Sequence, residues 1–125
     1  PWQLFGGKKH LQVQQVKGGT TTVASWPLEE DIPPNTAVMV EVTAIGISVS
    51  GGDVGAYRLL ATFRRLGGGL DQVGTTTKLV EHETNAGWDA SVQASGNRLE
   101  VKVTSGSGAY WHLDASVRFV RKSEE

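Results

Sequence analysis

Residues 88–104 read WDASVQASGNRLEVKVT. Trp88, Ala90, Val92 and Ala94 alternate with Asp89, Ser91, Gln93 and Ser95. Past Gly96-Asn97, Leu99, Val101 and Val103 alternate with Arg98, Glu100, Lys102 and Thr104. Successive side chains of a strand point to opposite faces, so each run has one apolar and one polar face. Two such runs around a short Gly-containing turn predict a β-hairpin.

The pattern continues on both sides. Upstream, residues 55–66 predict a strand with Tyr57, Leu59, Ala61 and Phe63 on one face and Arg58, Thr62 and Arg64 on the other. Leu60 and Leu66 interrupt that polar face and predict that it is partly covered. Gly67-Gly68-Gly69 turns the chain, and Leu70 to Glu83 returns. Residues 37–50 form the longest strand candidate. Val38, Val40 and Val42 hold even positions, whereas Ile45, Ile47 and Val49 hold odd ones. A period-2 pattern that slips by one residue, here at Thr43-Ala44, predicts a β-bulge or a strand changing sheets.

Further out, His10–Lys17 and Thr20–Leu28 predict two strands joined at Gly18-Gly19, with Val23 and Trp26 as anchors of the second. Pro33-Pro34-Asn35 marks a stiff turn, too rich in proline for a helix. After the loop at Ser105–Gly108, Ala109–Val120 is the last strand. Trp111, Leu113, Ala115, Val117 and Phe119 share one face, and His112, Asp114, Ser116 and Arg118 the other. Seven or eight strands with regular turns and no helix predict an all-β fold: a single antiparallel, jelly-roll-like β-sandwich. The expected organisation is an N-terminal arm (1–9), the sandwich (10–120) and a tail (121–125). A start at Pro1 is expected of a processed product or a fragment.

Composition narrows the functions. The net charge of −1 gives no basic excess of the kind nucleic-acid binding requires. No Cys is present, which excludes disulfides and thiolate metal sites. No apolar run approaches the ~20 residues that span a bilayer as a helix. His10, His82 and His112 lack metal-ligand spacing. In Glu81-His82-Glu83 the carboxylates point away from the imidazole, as alternate strand residues must. His112 and Asp114 share a face, read as an ordinary polar strand surface. Asp53 and Asp71 sit in turns, where Asp serves the backbone. No Ser stands in a nucleophile elbow, and Gly67–Gly69 lacks the Lys of a phosphate loop. No catalytic residue, metal or cofactor is expected.

The aromatics divide. Trp26, Trp88, Trp111 and Tyr57 lie on apolar faces and are expected in the core. Tyr110 is out of phase with Trp111 beside a Gly-rich loop, and is expected at the surface. Tyr110, with Trp2, is the candidate stacking platform for a sugar. Trp2, Leu4 and Phe5 are too apolar to remain in water. They are expected to dock on the domain or against a neighbouring subunit.

Residues 55–120 resemble a module of tailed-bacteriophage and prophage structural proteins. The resemblance rests on AYRLLATFRR (Ala56–Arg65), the turn Gly67–Gly69, the acidic Glu81–Glu83, WDASV (Trp88–Val92), Gly96-Asn97 and YWH (Tyr110–His112). It departs before the last strand, where V-T-G-x-A-G is replaced by Val103-Thr104-Ser105-Gly106-Ser107-Gly108. The resemblance implies a non-enzymatic virion component, a tail-fibre or spike knob or a virion-surface protein, that forms a homotrimer. Other virion proteins would be its partners, and the Trp2–Phe5 arm would suit subunit packing. The alternative is a carbohydrate-binding module for a cell-surface glycan. Neither nucleic-acid binding nor membrane insertion is expected.

Overall fold

A computed structural model describes residues 2–27 and 32–122, with the backbone alone for residues 2–14 and 122. Eight strands follow one another: β1 (Trp2–Val16), β2 (Gly19–Pro27), β3 (Thr36–Ser48), β4 (Val54–Arg65), β5 (Leu70–Glu83), β6 (Asp89–Ser95), β7 (Arg98–Ser105) and β8 (Ala109–Lys122). No helix occurs among the described residues. Five strands form one sheet in the order β1-β8-β3-β4-β5, and three form a second in the order β2-β7-β6. Every pairing is antiparallel. The hairpin of residues 88–104 is β6-β7, turning at Gly96 with a φ of 57° that Gly takes without strain.

β1 begins at Trp2, earlier than the alternation at His10 suggests. Its backbone pairs with β8 from Trp2 opposite Lys122 to Val16 opposite Ala109. The side chains of Trp2, Leu4 and Phe5, together with Pro1, Leu28–Asp31 and Ser123–Glu125, lie outside the described residues.

The inner faces of both sheets bury one shared cluster. Val38, Val40 and Val42 of β3 and Leu99, Val101 and Val103 of β7 are almost fully buried in it. Trp26, Trp88, Trp111 and Tyr57 are core, as expected. Trp88 reaches across to Trp111, with ring centroids 5.5 Å apart, and Tyr57 lies 6.2 Å from Trp111. Each such indole removes ~200 Å² from water, about 5 kcal/mol of hydrophobic stabilisation before entropy is charged. The three aromatics therefore fasten the sheets together at the end where β3 runs into β4.

The slip of pattern in β3 is not a bulge. β3 pairs in unbroken register with β4 from Thr36 to Ile47 and with β8 from Thr36 to Ser48. The even positions face inward throughout, and beyond Val42 they become Ala44, Gly46 and Ser48. The reason is space. A Cβ on Gly46 would stand 2.7 Å from the Trp111 ring. The core at that end is already filled by aromatics, so only small residues fit beneath them. The strand keeps its phase, and Ile45, Ile47 and Val49 face outward. The bulges that do occur lie in β1, β2 and β5. β5 and β6 are sheet edges, and the irregularities of β5, including Gly74 at φ 73°, blunt its edge against stray pairing.

Candidate interaction surface

The outward turn of Ile45, Ile47 and Val49 builds a surface. Directly paired residues of neighbouring strands point to the same face. Tyr110 of β8 pairs with Ile47, and Ile47 pairs with Val54 of β4, giving one apolar row across three strands. Ile45 lies two residues before Ile47 on the same face and Val49 two residues after. Relative exposures are 56% for Ile45, 44% for Ile47, 52% for Val49, 43% for Val54 and 38% for Tyr110. β-Branched side chains are stiff, so this patch is both apolar and preformed.

Two tight turns frame the patch. Ser48 accepts at its carbonyl from Gly51 N–H at 2.8 Å, and its hydroxyl accepts from Asp53 N–H at 3.0 Å. Val49 N–H donates to the Gly108 carbonyl at 2.9 Å, tying this turn to the loop before β8. Thr84 joins the β5–β6 connection to the same end. Its hydroxyl accepts from Val54 N–H at 3.0 Å and donates to Asp53 Oδ1 at 3.1 Å. Beside Val54 lies an open hollow of about 600 Å³ lined by Val54, Glu81, His82, Glu83, Thr84 and Ala86.

Elsewhere this sheet carries ion pairs, although Met39 and Val120 are also exposed on its outer face. Arg58 Nη2 donates to Glu41 Oε1 at 2.6 Å. That hydrogen bond outweighs the opposing effect of burial and, with lesser help from the charges of Arg58 and Arg118, holds the Glu41 carboxyl below its usual range. At the β5 edge, Lys78 bridges Asp89 at 2.8 Å and Glu81 at 3.2 Å. These contacts, the Asp89 hydrogen bond foremost, raise the Lys78 pKa. Beneath the surface the Tyr57 hydroxyl is buried with no hydrogen-bond partner. Burial first, then the charges of Glu83, Asp89 and Glu81, push its pKa well above the ordinary value.

Tyr110, expected at the surface, is exposed there. Trp2, the other sugar-stacking candidate, lies on β1 opposite Lys122, at the far end of the β1-β8 pair from Val16 opposite Ala109. The structure therefore does not bring Trp2 and Tyr110 together. His112 lies on the outer face in the row His112–Ile45–Ala56–His82, which sets the two histidines three strands apart. Among the described residues no three His, Asp or Glu side chains group as metal ligands. Sequence reasoning missed the patch itself. Its signal is the run Ala44-x-Gly46-x-Ser48, small residues at alternate positions of a strand that must face large rings.

No family model matches the chain, and no curated protein matches it. Among solved structures, phage tailspikes resemble it. The tailspike protein gp49 of Acinetobacter baumannii bacteriophage Fri1, a capsular polysaccharide depolymerase, matches over 92% of this chain with a TM-score of 0.53 at 7% identity. The tailspike of A. baumannii phage AM24 matches over 98% with a TM-score of 0.46 at 7% identity, and that of Acinetobacter phage vB_ApiP_P1 over 88% with a TM-score of 0.37 at 13% identity. The chain spans 17%, 26% and 20% of those three tailspikes. The all-β fold is therefore one found in the Fri1 tailspike, in line with the resemblance to phage structural modules.

Proposed function

We propose that this chain is a non-enzymatic structural domain of a phage tail spike or fibre, assembling as a homotrimer and serving attachment to the host surface. The observation that carries the reading is the fold likeness to the Fri1 tailspike, which takes in 92% of this chain but 17% of that one. A small domain that corresponds to so small a share of a spike reads as one of its building blocks. The depolymerase activity named for that spike belongs to a far longer chain, and is not carried over.

Native mass spectrometry at micromolar concentration tests the assembly: a trimer is expected, and a strict monomer overturns it. Incubation with capsular polysaccharide tests the non-enzymatic reading. Unchanged chain length is expected, and new reducing ends overturn it.

A second reading has one observation in its favour. Tyr110 is an exposed aromatic ring at the rim of the apolar row, and aromatic faces suit the apolar faces of sugars. A carbohydrate-binding module would bind in a glycan or whole-cell panel and lose that binding in Tyr110→Ala. Absence of binding throughout the panel removes this reading.

A further inference from the structure

We infer that the apolar end of the five-stranded sheet's outer face, Ile45, Ile47, Val49, Val54 and Tyr110, is where this chain packs against a second copy of itself. The inference deepens the homotrimer reading and rests on it. It assigns the interface to one side of the fold.

The contrast between the two outer faces comes first. The three-stranded sheet shows water a polar surface, stitched by Thr20 to Thr104 at 2.9 Å, Thr22 to Glu100 at 3.5 Å and Arg98 to Ser25 at 2.8 Å. Polar outward positions are the rule for an antiparallel sheet with one face in water. Ile45, Ile47 and Val49 break the rule together, at adjoining positions, with Val54 and Tyr110 beside them. Single exposed apolar residues need no explanation, whereas a contiguous patch does.

Area comes second. At these exposures the five side chains present roughly 400 Å² of surface, taking ~150–200 Å² for each when fully open. A partner in a standard interface contributes about 800 Å², of which about 57% is apolar, or ~450 Å². The patch is therefore the size of the apolar part of one such face.

Shape and charge come third. The row Tyr110–Ile47–Val54 crosses three hydrogen-bonded strands as one continuous apolar band. The hollow lies to its side, reached only at Val54. The five side chains carry no charge, and the Asp53 carboxylate beside Val54 accepts from the Thr84 hydroxyl at 3.1 Å. A closed cyclic assembly brings the same patch of every copy toward its axis.

The test compares the wild-type chain with Ile47→Glu and Met39→Glu by light scattering across a concentration series. Met39 is exposed on the same outer face but toward its other end, next to Arg118 and Thr62. We expect Ile47→Glu to raise the dissociation constant at least ~30-fold, as at an interface hot spot. Met39→Glu should assemble like the wild type. Circular dichroism and the melting transition check that the variant is folded. If Ile47→Glu fails to fold, Val49→Glu, beyond the end of β3, takes its place. A wild-type oligomer that Ile47→Glu leaves intact overturns the interface and spares the homotrimer. Equal dissociation by both variants also overturns the assignment to this end of the face. A wild-type monomer overturns the homotrimer and the interface with it.

Discussion

The two halves of β3 are built in opposite ways. From Val38 to Val42 the inward residues are valines and the outward ones Met39 and Glu41. From Ala44 to Ser48 the inward residues are small and the outward ones are isoleucines. Backbone and register are the same throughout. What differs is the neighbouring strand. Val38–Val42 pair with Val117, Ala115 and Phe119 of β8, whereas Gly46 lies under Trp111. Volume is conserved across the core, because interiors are close-packed. Where the rings take the space, β3 gives it up, and its large apolar residues are left on the outside. The end of β3 at Gly46 thus joins an interior filled by aromatic rings to an exterior of exposed isoleucines.

The largest test of this contrast is Gly46→Val. Its Cβ would meet three ring carbons of Trp111 at 2.7–2.8 Å. Trp111 cannot swing aside freely, since Trp88 and Tyr57 flank it. Forcing atoms into a packed core costs about 1–3 kcal/mol, and more when the obstacle is a fixed ring. A loss of about 3 kcal/mol in urea denaturation is expected. Thr43→Val, outward on the same strand, should stay within ~0.5 kcal/mol. A loss under ~1 kcal/mol for Gly46→Val would mean that the rings yield, and crowding would no longer account for the outward isoleucines.

That crowding also explains what was legible in the sequence. Hydropathy alternation found the β6-β7 hairpin and the buried tryptophans, because at those positions apolar means inward. In β3 hydropathy and burial part company. The slip at Thr43-Ala44 reads as a bulge only if inward residues must be large. Size beneath Trp111, a contact between residues 65 apart in the sequence, decides instead, and no local window holds it. The start of β1 was hidden for a related reason. Gly6-Gly7-Lys8-Lys9 has no alternation, and its strand conformation comes from pairing with Ala115–Arg118. Tyr110 was legible because phase alone separates it from Trp111. The patch around it was not, because it depends on where Ile47 points.

A smaller effect is expected at Tyr57, in the crowded interior. Its hydroxyl is buried with no hydrogen-bond partner, so Tyr57→Phe removes a desolvated polar group and should gain between zero and about 1 kcal/mol at pH 7. The pH dependence gives the sharper readout. The folded-state pKa lies above the ordinary 10.0, chiefly through burial. Below pH 10 both states keep the proton and the pH contribution is constant. Above it the unfolded chain ionises first, so stability falls as pH rises, by up to ~1.4 kcal/mol per unit. Tyr57→Phe should lose less between pH 9 and 11 than the wild type, in urea melts at each pH. Parallel curves would mean that water reaches the hydroxyl and that the aromatic end is looser than its packing implies.

The least effect belongs to the polar half of the outer face. Glu41 and Arg58 meet at 2.6 Å, but their side chains are 35% and 52% exposed. Solvent screening reduces such a pair to a few tenths of a kcal/mol. The Arg58 hydrogen bond lowers the Glu41 pKa below 4.5. Its stabilisation is therefore complete above that value and is lost as pH falls through the folded-state pKa. Glu41→Gln should cost less than ~0.5 kcal/mol at pH 7, and less again in 1 M salt. The difference from wild type should vanish in acid. A cost above ~1.5 kcal/mol at pH 7 would count this pair as structural rather than as ordinary solvated surface. The two halves of β3 would then differ in composition but not in how much their outer faces matter to the isolated fold. The small value expected leaves the polar half free of any packing duty, and makes the isoleucines beside it the side chains of this face that call for a partner.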